Sequence, residues 1–261
     1  MRPTTRRKLS QTGLYVVFFG LVLLVVLVTD WGRLADQFFR LDIAREQLPE
    51  IITIALKNTI LFTLISFVGG LVFGVLLTLM KLSSVLPYRW FATAYIEIFR
   101  GMPALLTIFA MAYMVPIAFG IRVPGGQVGA GLIGLILVAA AYMAEVIRAG
   151  IQAVPKGQDE AARSLGMSPM KTMGWIVLPQ GFRIIIPPLT NEFVLLLKDT
   201  SLLFIAGSTV LTKELTTFAR DGLTMHSNAT PLVMAAMLYL LVTIPLTRLV
   251  AVLERRMARG R

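Results

Sequence analysis

The sequence predicts an all-α, polytopic membrane protein with about six transmembrane helices and both termini on the cytoplasmic side. Three observations lead there. Apolar residues fill 56% of the 261 positions and charged residues only 15%, too few charges for the surface of a soluble domain of this size. The charges cluster between long apolar runs, which place spans at approximately 14–30, 51–80, 90–119, 129–149, 183–207 and 230–253. Lys and Arg are also unevenly divided between the loops those spans define. Sixteen (Arg2, Arg6, Arg7, Lys8, Lys81, Arg89, Arg148, Lys156, Arg163, Lys171, Arg183, Arg248, Arg255, Arg256, Arg259 and Arg261) fall on the side of the N-terminus, against six (Arg33, Arg40, Arg45, Arg122, Lys213 and Arg220) on the other. Basic residues stay on the cytoplasmic side, so the asymmetry predicts N-in, C-in.

The first apolar run follows Arg6-Arg7-Lys8, as a signal peptide would. After Val28, however, Thr29-Asp30-Trp31-Gly32 offers no small-x-small cleavage site, so a retained anchor is expected, packing peripherally. Residues 1–50 are read as this anchor and an outer loop, 51–255 as one transmembrane domain, and 256–261 as a basic tail. In the second span, Ser66, Gly69, Gly70 and Gly74 allow close helix approach in lipid, where packing drives association, and Gly129, Gly131 and Gly134 do the same in the fourth. The third span is interrupted by Gly101-Met102-Pro103. Proline removes a donor and disfavours helix before it, which predicts a surface helix to about Arg100 and a span from Pro103 onward. On that surface helix Glu97 and Arg100 are three residues apart and are expected to pair or snorkel. Glu145 and Arg148, near the inner end of the fourth span, fit a surface or gate pair. Several spans exceed the roughly 20 residues a bilayer requires, so tilt or breaks are expected.

Between the fourth and fifth spans lies a polar island, 155–180. Pro155 and Gly157 break the preceding span, and Gln158, Asp159 and Glu160 place acceptors and negative charge where a helix N-terminus favours them. A helix of about two turns is predicted, with Ala161, Ala162 and Leu165 as its apolar stripe and Gly166 ending it in a left-handed conformation. Ser168 then caps a second short helix that has Pro169 at its first position, carries Met170, Met173 and Val177 on one side, and is stopped by Pro179.

This stretch carries a resemblance. Glu160-Ala161-Ala162, three residues, Gly166, nine residues, then Ile176-x-Leu178-Pro179 resembles the EAA loop of the membrane subunits of bacterial ABC importers. The flanking AYMAEVIRAGIQAVPKGQ and QGFRIIIPPLTNEFVLLLKDTSLL, with FRGMP at 99–103, are similar to the polar amino acid branch of that family, over roughly residues 50 to 255. The resemblance implies a permease subunit of a bacterial amino acid importer in the cytoplasmic membrane. It implies that the loop forms a coupling helix seated on a separate ATPase, with Asp159, Glu160, Ala161, Ala162, Gly166, Met167 and Ser168 as docking residues. The implied partners are a cytoplasmic ATPase dimer, a second permease copy or a homologous permease, and an extracytoplasmic amino acid-binding protein. ATP and Mg²⁺ would be held by the ATPase, with no cofactor or metal in this chain. The family also places the fifth span beside the translocation path.

Ionisable groups at membrane depth cost roughly 2.5–3.5 kcal/mol each, so those that remain tend to face a cavity or a partner. The fifth span offers Asn191 and Glu192 after a break expected at Pro187-Pro188, and Lys198, Asp199 and Thr200 two turns on. Asn191 and Glu192 are the leading candidates for contact with a zwitterionic substrate, and Lys198 and Asp199, on the same pathway, are read chiefly as structural. The latter two point about 100° apart and must each find another helix. Interhelical bonding is the competing role for all four.

Other classes are disfavoured by what is missing. The chain has no G-x-x-x-x-G-K-[ST] phosphate loop, no H-E-x-x-H and no G-x-S-x-G, so no ATPase or hydrolase centre is expected and the chain reads as non-catalytic. It has no cysteine, and its one histidine, His226, has no clustered partner. The net charge of +11 is spread along the inner membrane face, where it meets anionic lipid, and no nucleic-acid partner is expected. Asn228-Ala229-Thr230 matches a glycosylation acceptor and is assigned no function. Two further readings stay open: an ion-coupled secondary transporter or channel, and a membrane scaffold.

Overall fold

The computed structural model describes residues 3–258. Arg2, Arg259 and Arg261, three of the inner basic residues, and with them the end of the 256–261 tail, lie outside the described residues. Among the described residues every regular element is helical: α1 (Pro3–Val28), α2 (Trp31–Phe38), α3 (Leu41–Glu50), α4 (Lys57–Leu82), α5 (Leu86–Gly101), α6 (Ala104–Phe109), α7 (Val115–Phe119), α8 (Gly126–Gln152), α9 (Lys156–Ser164), α10 (Pro169–Thr172), α11 (Leu178–Asp199), α12 (Leu215–His226) and α13 (Thr230–Ala258). Three helical runs are long and apolar enough to cross a bilayer: Trp31–Leu82, Gly126–Gln152 and Thr230–Met257. A fourth arises if α5 and the run Ala104–Phe119 count as one broken span. In α1 the apolar stretch is the shorter Gly13–Val28, and α11 carries Arg183, Glu192, Lys198 and Asp199 within its length.

The body is built around α8, which packs against α4, α5, α6 and α11. Its small residues allow this. A methyl group at Gly70 would stand 2.7 Å from Ala139 Cβ, and one at Gly74 would stand 3.0 Å from Met143 Cβ. One at Gly134 would stand 3.0 Å from Ile108 Cα, so α6 lies backbone-close to α8. Thr78 Oγ1 adds a polar tie, sharing its proton between Gly74 O (2.8 Å) and Ala144 O (2.9 Å). Around this seam Phe62, Ile108, Leu135, Met143, Leu196 and Leu203 form the main apolar core. A second cluster joins Ile51 and Ala55 to Leu215, Phe218 and Ala235, seating α12 against α13 and the turn before α4. Most large apolar side chains on α4, α5 and α13 that face outward are exposed, as expected for surfaces that meet lipid.

The break after Gly101 is real: α5 and the following helical run meet at 106°. Two other expected interruptions are not. Pro179 does not stop a helix, because the chain passes from α10 through a π-helical turn at Met173–Val177 directly into α11, with Pro179 in the first turn of α11. A wider turn accommodates the ring, and a first-turn proline lacks only a donor that would be orphaned anyway. Pro187 and Pro188 likewise lie inside α11 without a break. Their missing donors release the carbonyls of Arg183 and Ile184, residues that line an open cavity of about 940 Å³ with Gln180, Glu254 and Arg256, where polar groups and water can satisfy them.

Candidate functional site

The loop between α8 and α11 is a rigid helical corner. Pro155 is the N-cap of α9, whose first turn carries Asp159, and Arg163 Nε lies 3.0 Å from Asp159 Oδ2 one turn on. At the other end Gly166 has φ +83°, its N–H donates to Arg163 O (2.9 Å), and the Met167 N–H donates to Ala162 O (3.1 Å). Together these bonds form a Schellman closure, which satisfies the last carbonyls of α9 and requires the left-handed residue. Ser168 Oγ then accepts from Lys171 N at 3.5 Å, a long cap bond, and Pro169 opens α10. Gln180 Nε2 donates to Gln158 Oε1 (3.3 Å), tying the start of α9 to α11.

The corner sorts its side chains in a way that spacing did not reveal. Ala162, Thr172 and Val177 are buried, whereas Asp159 and Met167 are half-buried and Glu160, Ala161, Gly166 and Ser168 are exposed. The two expected apolar stripes are therefore split. Leu165 is 85% exposed, Met170 86% and Trp175 78%, a group of large apolar residues that nothing in the chain covers. None of the three was among the expected docking residues. Their signal was present in the sequence, as apolar residues within an otherwise polar island.

Towards the C-terminal end of α8, Glu145 gathers charges from three helices. Lys81 Nζ from α4 lies 2.5 Å from its Oε1, Arg148 Nη2 2.7 Å from its Oε2, and Arg100 Nη1 from α5 4.0 Å from Oε2. Arg148 Nη1 also donates to Gln152 Oε1 (2.6 Å). The Glu145–Arg148 pair thus forms as its spacing suggests. The Glu97–Arg100 pair does not: Arg100 turns to Glu145 and stacks over the Tyr142 ring at 5.5 Å, leaving Glu97 exposed. A buried-side carboxylate and an aromatic face hold the guanidinium better than a solvated neighbour on its own helix. Lys81 belongs to this cluster and was not singled out from the sequence.

On α11, Asn191 and Lys198 are exposed and Glu192 and Asp199 half-buried, each pair two turns apart on nearly one line along the helix. With Pro188 and Leu195 they form an uncovered, mixed polar stripe, while Ile185, Val194, Leu196 and Leu197 face the core. Lys198 and Asp199 had been expected to find other helices. Among the described residues neither makes an ion pair within the chain, and Asn191 and Glu192 make no side-chain hydrogen bond. Among the described residues the stripe therefore makes no ion pair or side-chain hydrogen bond to another helix.

The comparisons bear on both regions. Residues 70–259 match the family described as binding-protein-dependent transport system inner membrane component. The chain is 38% identical over 203 residues to a probable glutamine ABC transporter permease, GlnM, of Bacillus subtilis strain 168, covering 78% of this chain and 91% of that one. It is 33% identical to the arginine transport system permease ArtQ of the same organism, over 81% of this chain and 94% of that one. Among solved structures, a crystal structure of an amino acid ABC transporter with histidines matches with TM-score 0.73 at 34% identity, over 81% of this chain and 95% of that chain. An inward-facing MetNI methionine ABC transporter matches with TM-score 0.60 at 19% identity, over 80% of this chain and 98% of that chain, which speaks to the fold alone. The chain is a member of the binding-protein-dependent transport system inner membrane component family, and its relatives are ABC permeases for amino acids.

Proposed function

We propose that this chain is the non-catalytic permease subunit of an ATP-driven importer for polar or charged amino acids in the bacterial cytoplasmic membrane. It spans six times, with both termini inside, and α9–α10 is the coupling element for a separate ATPase. The observation that carries this reading is the α9–α10 corner, built stiffly by a Schellman closure and presenting Leu165, Met170 and Trp175 uncovered. Exposed Met, Leu and Trp on a stiff scaffold are what a partner groove buries. In this reading Asp159, Glu160, Ala161, Gly166, Met167 and Ser168 form the docking surface with those three, while Ala162, being buried, supports them from beneath instead of meeting the partner. The partner ATPases hold ATP and Mg²⁺. A second copy or a homologous permease completes the path, and an external binding protein delivers substrate.

The uncovered stripe on α11 lines that path. Asn191 and Glu192 can meet the ammonium of a zwitterion, while Lys198 can meet its carboxylate. The Glu145 cluster ties the inner ends of α4, α5 and α8, so a push on the loop after α8 reaches them together. Closure of the ATPases on ATP would then tilt α8 and α11 about the path and alternate its openings.

The test is a mild-detergent pull-down of the tagged full-length chain from its host, wild type against Gly166→Asp, with mass spectrometry of what co-purifies. An ATP-binding subunit recovered with wild type and lost in the variant, while the variant still inserts, supports the reading. Intact wild-type protein that brings down no ATPase sinks it and makes ion-coupled transport the next hypothesis. In vesicles holding the complex, Glu192→Gln is expected to depress uptake while leaving ATPase recovery unchanged.

A further inference from the structure

The short helix α2 has no role in coupling or transport as described above, and its two faces differ sharply. Trp31, Leu34, Ala35 and Phe38 follow one another at helical spacing on one side, with Arg33, Asp36 and Gln37 on the other. The apolar side is largely uncovered: Trp31 is 54% and Phe38 45% exposed, Leu34 between them is half-buried, and the next residue, Phe39, is 50% exposed. The helix is nonetheless firmly placed. Asp30 Oδ1 accepts from Arg33 N (2.9 Å) as its N-cap, and Trp31 Nε1 donates back to Val26 O (2.8 Å), locking α2 to the end of α1. At its other end Asn228 Nδ2 donates to Asp36 O (2.7 Å), Ala229 N–H to Gln37 O (2.8 Å), and Arg40 N–H to Thr230 Oγ1 (3.0 Å). Asn228 is itself buried, its Oδ1 accepting from Thr230 N and Oγ1.

The level of α2 relative to the membrane follows from what it is tied to. Its first residues abut the end of the apolar stretch Gly13–Val28, and its last carbonyls are clasped by the turn that opens the span Thr230–Met257. Both neighbours end at a bilayer boundary there, so α2 lies at that boundary with its apolar face uncovered. Every described side chain from Leu14 to Val28 on α1 is also exposed to the surroundings or nearly so, and that apolar surface continues into Trp31.

We propose that α2 is an interfacial helix whose Trp31–Leu34–Phe38 face is buried in lipid at the headgroup–acyl boundary, with Asn228–Ala229–Thr230 as the clasp that sets its depth. The lipid class is the bilayer itself, recognised through apolar area and an aromatic ring at the polar boundary. Asn228 thereby acquires a role that its sequence motif did not suggest: it holds the carbonyls at the end of α2.

The chain has no cysteine, so a single introduced cysteine takes a spin label uniquely. Full-length Phe38→Cys and Arg33→Cys, each spin-labelled in phosphatidylcholine vesicles, are compared for relaxation by oxygen, which concentrates in lipid, and by a water-soluble nickel chelate. The expected result is oxygen-dominated relaxation at position 38 and nickel-dominated relaxation at 33. A second readout avoids the helix core: the Trp90→Phe/Trp175→Phe protein, both positions being well exposed, keeps Trp31 as its only tryptophan. Its emission should fall more with a nitroxide just below the headgroup than with one at the chain end, placing the ring about 5–10 Å below the headgroup surface. Nickel access at both labelled positions, or access by neither reagent at position 38, overturns the proposal; the latter would mean that another protein surface covers the face. Stronger quenching from the chain end overturns it as well, since α2 would then belong to the span. None of these readouts requires an ATPase or a substrate, so the outcome is independent of the proposed transport function.

Discussion

Gly166 is the position where backbone strain and surface contact can be separated by the choice of side chain. Its φ of +83° lies in the left-handed region, and a Cβ built there meets nothing within 4 Å, so within this chain a substitution costs only what the backbone conformation costs. For an ordinary L-residue that is about 1–2 kcal/mol, less for Asn, whose short polar side chain tolerates the region. If the ATPase requires the corner as built, Gly166→Ala weakens association by about 5- to 30-fold, and Gly166→Asn by clearly less. Gly157→Ala is the matched control, since its Cβ also meets nothing and no positive φ is involved. The assay is titration of the purified ATPase subunit against each full-length variant in nanodiscs, with thermal unfolding in parallel to confirm that the bundle is intact. Full affinity in Gly166→Ala would refute the need for the left-handed corner. An Asn variant as weak as the Ala variant would refute the strain account, and would mean instead that the partner packs on the glycine itself.

Gly134→Ala should destabilise the bundle by about 1–3 kcal/mol, because the new methyl meets the backbone of α6 rather than a side chain that could rotate away; an unchanged Tm would contradict the packing. Glu145→Gln removes the charge on which Lys81 and Arg148 converge and is expected to cost about 1.5–3 kcal/mol, read as a lowered Tm. In the Lys81→Met/Glu145→Leu double variant part of that loss should return, since Lys81 is no longer left unpaired while Arg148 still is; a loss equal to the sum of the single variants would argue against coupling between the two. Asn228→Ala should cost about 1–3 kcal/mol and raise hydrogen exchange across α2, with α4 and α8 unchanged; equal rates in wild type and variant would remove the clasp.

The loop between α8 and α11 was legible in the sequence because its signals are local. Pro155, Gly166 and the Ser168-Pro169 pair act on the backbone within one or two residues, whatever surrounds them, and the structure shows a cap, a left-handed closure and a cap where they stand. The bend after Gly101 and the glycines against α8 were readable for the same reason: a missing donor and a missing side chain are properties of the residue itself. Pro179, Pro187 and Pro188 carry the same missing donor, yet α11 runs through all three. Whether proline breaks a helix depends on what becomes of the freed carbonyls, and here a π-helical turn just before Pro179 and, for Pro187 and Pro188, an open cavity lined partly by the distant end of α13 decide the matter.

What the sequence by itself determined is therefore the helical class, the apolar runs and the punctuation of the loop between α8 and α11, all set by composition and by neighbours a few residues away. Only the tertiary structure decided the pairings. Arg100 had Glu97 within one turn and chose Glu145, because packing α5 on α8 put a less solvated carboxylate and the face of Tyr142 within its reach. In the sequence Leu165 and Met170 fall in two separate apolar stripes, and Trp175 lies beside the second. That they are left bare, and that α11 keeps a polar line with no ion pair among the described residues, follows from which faces the other helices cover, and that is fixed by contacts across the whole fold.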